Sequence, residues 1–192
     1  MRTLSELTNE ELWQLFPVII SEHKEDWKEN FLSESKELVE AIGSDRVVRI
    51  NHIGSTAVPD LLAKPTIDIL LEITEEIDIE RLIKTIESEG YIYTYQPKNP
   101  APHMMFMKGY TPEGFKGQAF HLHVRYSGDW NELYFRDYLL AHADVAQEYG
   151  ELKLRLKEQF EHDRDAYTSA KTDFINRMTE LARKEFPNRY KA

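Results

Sequence analysis

The chain has 192 residues, no cysteine and a formal net charge of −10. The length suits one domain that buries about 70% of its unfolded surface, and the lack of cysteine excludes disulfides and thiolate metal sites. The acidic balance speaks against groove binding to DNA or RNA and against anionic membranes, since both reward a basic surface.

The first residues, "MRTLSELTNEELWQ", show no basic stretch followed by an apolar one, so no secretion signal is expected. No apolar run approaches the roughly 18 residues of a membrane span, and the cytoplasm is the default location. Residues 23–42 read as a helix, with Trp27, Phe31, Leu38 and Ile42 on one stripe and Gly43 as its stop. Residues 46–53 and 66–73 read as strands, and residues 77–90 as an amphipathic helix ending in glycine. The stretch 91–96 is aromatic and β-prone. Segments 103–110 and 120–126 form a hairpin joined by a long, turn-like connection, "TPEGFKGQA". From Trp130 onward the pattern is helical, in two or three pieces. Val145, Tyr149, Leu152, Leu156 and Phe160 make one stripe there, and Tyr167, Phe174, Met178 and Leu181 another. The expected class is α/β or α+β, with a mixed sheet flanked by helices and a helical C-terminal segment, in one domain over residues 1–192.

The chemistry concentrates in "NHIGSTAVPDLLAKPTIDILLEI", residues 51–73. Alternation puts Ile67, Ile69, Leu71 and Ile73 on one face of the second strand and Asp68 on the other. Asp68 and Glu72 are roughly 13 Å apart along the strand, too far to share one small metal ion. A strand, a Gly-Ser turn and a strand bearing an acid form a phosphate-and-metal layout. Gly54 lets backbone N–H groups approach an anion, Ser55 and Thr56 add hydroxyls, Lys64 adds a point charge, and Asp68 can hold Mg²⁺. The plainer reading is a simple turn, with Asp68 paired to Lys64 or Arg49.

In "FHLHVRY", His121, His123 and Arg125 share one face. A His-x-His on a strand is a common metal-ligand spacing, and with Asp68 it makes a two-histidine, one-carboxylate set. The alternative is a hydrogen-bonded histidine pair. His52 and His103 are weaker candidates. Lys171 sits within an apolar stripe, so it points at a cleft or snorkels to water; Arg136 and Lys153 are similar candidates.

"HIGSTAVPDLLAKPTIDI" resembles the signature of the GrpB family, and so do "FHLHV", "YFRDYLLAH", "EYGELKLRL" and "YTSAKTDFI". The resemblance extends over about residues 11–185. It implies a nucleotidyltransferase-like fold, whose usual pattern is a Gly-Ser turn, two acids one residue apart on a strand, and a third acid on a later strand. Those acids hold two Mg²⁺ ions. Here Gly54 and Ser55 match the turn and Asp68 matches the first acid. Leu70 stands at the second, and His121 and His123 replace the third. The expected function is binding of a phosphate-bearing small molecule or nucleotide, with a divalent metal and possible transfer chemistry. Asp68, His121 and His123 would then act as ligands or acid–base groups, with Lys64, Arg136, Lys153 and Lys171 neutralising charge. The alternatives are a non-catalytic binding or regulatory module and a metal-dependent hydrolase built on Asp68 and the histidines. Oligomeric state is left open.

Overall fold

The computed structural model describes residues 3–96, 98–99 and 101–191. Short helix α1 (Asn9–Leu15) opens on a reciprocal cap: the Thr8 side chain accepts from Glu11 N while the Glu11 carboxylate accepts from Thr8 N. This Thr-x-x-Glu signal in the sequence is what specifies the helix. Helix α2 (Asp26–Ile42) begins three residues later than the periodicity implies, because Ser21 is drawn into a β-bridge with Ala63 that holds the preceding chain extended. Strands β1 (Val47–Ile53) and β2 (Thr66–Ile73) follow, then helix α3 (Ile79–Ser88), whose first turn is capped by Asp78.

Strands β3 (Ile92–Thr94), β4 (Met104–Thr111) and β5 (Gly114–Tyr126) complete one five-stranded sheet in the order β1-β2-β5-β4-β3. Only β2 and β5 pair in parallel. The long connection expected between 103–110 and 120–126 is instead mostly strand. Thr111 pairs with Gly114, so the turn is only Pro112 and Glu113, and the extra residues form a bulge opposite Gly109. Gly109 has φ +88°, and a Cβ there would meet the Gln118 carbonyl at 2.6 Å, so the bulge requires glycine.

The C-terminal third is four helices rather than two or three: α4 (Asn131–Ala141), α5 (Ala143–Phe160), α6 (Arg164–Ala170) and α7 (Thr172–Glu185). Asp163 caps α6 at Ala166 N and so creates a helix start inside what periodicity reads as continuous helix. In α7 the buried stripe runs Phe174, Met178, Ala182, while Leu181 is 39% exposed. A spacing of four, not three, keeps the apolar row facing inward here. Among the described residues no helix is long and apolar enough to cross a membrane.

Strand β2 is the centre of the fold. Ile67, Ile69, Leu71 and Ile73 are fully buried with Trp27, Leu38, Leu82, Ile86, Leu122 and Val124, so α2 and α3 cover that face. On the opposite face Leu70 is fully buried with Ile53 and with Leu133 of α4. Two residues on, Glu72 is fully buried in a fork of bonds from Arg49 (Nε 2.5 Å, Nη2 2.7 Å) and accepts from Gly128 N at 3.0 Å. Arg49 is therefore committed to Glu72, not to Asp68.

Position 70 lies under a helix, which decides what an acid there would do. Leu70→Asp places a carboxylate among Ile53 and Leu133 with no partner. We expect a loss of about 3–5 kcal/mol in urea unfolding, or no folded protein, and no gain of Mg²⁺-dependent nucleotidyl transfer.

Candidate functional site

The parallel register of β2 and β5 sets Asp68 opposite His121 and Leu70 opposite His123, all on the sheet face turned to the C-terminal helices. Asp68 Oδ1 lies 3.3 Å from His121 Nδ1 and 3.7 Å from His123 Nε2. Tyr110 continues the chain: its hydroxyl is 2.7 Å from His121 Nε2, and Arg164 Nη2 donates to that hydroxyl at 3.4 Å. The Gly109 bulge makes this contact, since it shifts the register between Lys108 and Tyr110. Burial holds His121 below its ordinary pKa despite the neighbouring carboxylate. A neutral ring with its proton on Nδ1 satisfies both neighbours: it donates to Asp68 and accepts from Tyr110. Burial pushes the Asp68 carboxyl up, but the His121 and His123 hydrogen bonds outweigh that and hold it well below the usual carboxylate range.

The Gly-Ser turn abuts this group. Gly54 has φ +70°, and a Cβ there would meet Asp68 Oδ2 at 2.5 Å, so only glycine allows the turn to lie against the acid. A single 3₁₀ turn, Ser55–Ala57, follows. Lys153 of α5 reaches the turn. The residue is 2% exposed, and its side-chain nitrogen donates to Ser55 Oγ at 2.8 Å and to the Leu62 carbonyl and lies 4.4 Å from the Tyr149 ring centre. Lys171 occupies the break between α6 and α7, not the middle of one helix, with its ammonium 4.4 Å from the centre of the Tyr167 ring. Lys64 approaches the same ring at 5.8 Å. Burial is the main cause that lowers all three: Lys64 to about 7, Lys153 to about 6 and Lys171 to about 8. Mutual repulsion adds to it. Lys64 and Lys171 both weigh on Lys153, and Arg164 and Lys171 weigh on Lys64.

The structure thus brings Gly54, Ser55, Lys64, Asp68, His121, His123, Lys153 and Lys171 together. Thr56 and Arg136 are turned to other work. Thr56 is buried and bonds His52 Nε2 at 2.9 Å and the Thr66 carbonyl at 3.3 Å, which fastens the loop to β2. Arg136 is held by Asp137, the His52 carbonyl and the Tyr190 hydroxyl. His52 stacks on Phe31 and is pushed down to about 4 by burial. His103 stands against Trp130. Tyr110, Arg164, Tyr149 and Tyr167 join the site without having been singled out in the sequence. The glycine inside β4 was the signal available for Tyr110, because a strand glycine often marks a bulge.

A divalent ion does not fit this arrangement as it stands. Both ring nitrogens of His121 are engaged, Leu70 offers no donor, and among the described residues no three His, Asp or Glu side chains come together to hold an ion. A separate surface groove, lined by Val58, Pro59, Leu61, Leu139, Leu140 and Gly150 among others, shares no residue with the group.

Residues 17–181 match the model of the GrpB protein family. The glutamate-rich protein GrpB of Alkalihalophilus pseudofirmus is 36% identical over 165 residues, 84% of this chain and 93% of that protein. A UPF0157 protein of Pseudomonas aeruginosa is 37% identical over 79% of this chain, and the match spans only 62% of that protein's length. The crystal structure of the conserved protein GrpB from Enterococcus faecalis superposes with a TM-score of 0.76 at 28% identity, covering 88% of this chain and 99% of that one. The chain belongs to the GrpB family.

Proposed function

We propose that the chain binds a phosphate-bearing small molecule, with a nucleotide as the favoured class, against the Gly54–Ser55 turn. One observation carries this reading: three lysines from three separate segments gather beside that turn, Lys153 on Ser55 and Lys64 and Lys171 against the Tyr167 ring, with Asp68 as the acid that offsets the latter two. Burying like charges side by side opposes folding unless a counter-charge arrives. Among the described residues neither Lys64 nor Lys171 has an ion-pair partner; each meets the Tyr167 ring. A phosphate group supplies the missing charge in a form that lysine, hydroxyl and backbone N–H groups all recognise.

Asp68 is held too acidic to be a strong proton acceptor at neutral pH, which favours binding over catalysis. A second reading, transfer or hydrolysis, is favoured by His123 alone. Its ring is 26% exposed, and its remaining nitrogen has no hydrogen-bond partner among the described residues. Release of phosphate or pyrophosphate from ATP, lost in His123→Gln, would establish this second reading. No release above the buffer blank would reject it.

Lys171→Met tests the binding reading, because it keeps most of the stem and removes the charge. Calorimetry with inorganic pyrophosphate should show affinity reduced by about 1.5–3 kcal/mol; unchanged affinity would remove Lys171 from the site. Stability should move the other way. The folded pKa of Lys171 is depressed from 10.5 to about 8, so the folded state binds fewer protons than the unfolded chain in that window. The charged side chain thus opposes folding most below pH 8. Without ligand, the variant should be more stable at pH 7, by up to about 3 kcal/mol, and the gap should close as pH nears 10.5.

A further inference from the structure

Resting on the phosphate reading above, we infer that this site holds its anion without a divalent metal. Lys64, Lys153, Lys171 and Arg164 supply the positive charge that metal ions supply in a two-acid site, and the Tyr167 hydroxyl donates to the ligand. The class of ligand that fits is a phosphate, diphosphate or triphosphate group carrying at least two negative charges.

Three observations support this independently of one another. The first is the balance of charge. Three lysines and Arg164 gather around the single carboxylate of Asp68: Lys153 on Ser55, Lys64 and Lys171 against the Tyr167 ring, and Arg164 on the Tyr110 hydroxyl; Lys64 and Lys171 weigh on Lys153, and Arg164 and Lys171 weigh on Lys64. A dication entering that field is repelled, whereas a multiply charged anion is drawn in. The second is the state of the would-be ligands. His121 spends one nitrogen on Asp68 and the other on Tyr110, and position 70 is a leucine sealed under Leu133. Freeing His121 for an ion would break the Tyr110 bond, and no donor waits at position 70.

The third is a hydroxyl with nothing to bond. Tyr167 is fully buried, and its hydroxyl is without a hydrogen-bond partner among the described residues. Buried hydroxyls are rarely left so, and each exception asks for an explanation. The ring lies against the ammonium groups of Lys64 and Lys171. The ring therefore lies between the lysine group and the apolar Val18 and Leu156. An anionic oxygen seated among these cations gives the hydroxyl the acceptor it lacks, and the free protein leaves it unpaired until that oxygen arrives.

The test is calorimetry with inorganic phosphate, inorganic pyrophosphate and ATP, each in EDTA and again in excess Mg²⁺. The inference expects binding of at least one in EDTA, with excess Mg²⁺ leaving its affinity unchanged or weakening it, since Mg²⁺ chelates the free anion. Binding that appears only with Mg²⁺, or tightens tenfold or more with it, overturns the inference and leaves the phosphate reading standing. No binding of any of the three in either buffer overturns the phosphate reading itself. Tyr167→Phe separates the hydroxyl from the charges. The variant should melt at or above the wild-type temperature without ligand, because an unpaired buried hydroxyl is removed. It should bind the same anion in EDTA on the order of tenfold more weakly. Equal affinity would overturn the role given to the Tyr167 hydroxyl.

Discussion

A lysine ammonium inside a protein must be met by acceptors, and Lys153 is met by two from one loop: the Ser55 hydroxyl and the Leu62 carbonyl. That contact fastens the C-terminal helices to the β1–β2 connection. Helix α5 delivers Lys153, and the loop it grips is closed at its other end by Thr56 bonding across to the start of β2. The turn so held presses Gly54 against Asp68. Two histidines from the neighbouring parallel strand bracket the same acid. The turn and the acid are thus set by one buried lysine and the loop that satisfies it, and the histidines by the strand register.

Charge then separates the two ends of one sheet face. Glu72 is neutralised by Arg49 through a bidentate pair and a backbone N–H, a closed arrangement that needs nothing further. Four residues earlier on the same strand, Asp68 meets an excess of cations that is not closed within the protein. Both ends bury charge, and in the proposed reading only the second is completed from outside. That asymmetry distinguishes a structural ion pair from a binding site.

Much of this is legible in the sequence, for physical reasons. Period-two alternation fixes which face of β2 and β5 carries Asp68, His121 and His123, and a lysine within an apolar stripe must find water or an anion. Lys171 illustrates the limit of that reasoning. Its inward direction is readable, but the break between α6 and α7 that places the lysine at a junction is not, because the apolar row continues across it. Tyr110 is hidden by the Gly109 bulge, and Arg164 sits in "EHDRDAY", a stretch that reads as a solvated face. Arg136 resembles Lys153 in pattern, yet the adjacent Asp137 claims it. A one-residue neighbour is too generic a feature to predict a pair. The Thr-x-x-Glu cap of α1 was readable from residue chemistry alone.

The central claim is that three lysine amines, depressed by burial, regain their protons when one external anion binds. The direct measurement is a pH titration of the lysine side-chain amines by NMR, with and without inorganic pyrophosphate. The account predicts three lysines titrating near 6, 7 and 8 in the free protein, all moving upward when pyrophosphate is present. Lysines that all titrate near their ordinary 10.5, or depressed values that pyrophosphate leaves in place, would contradict it.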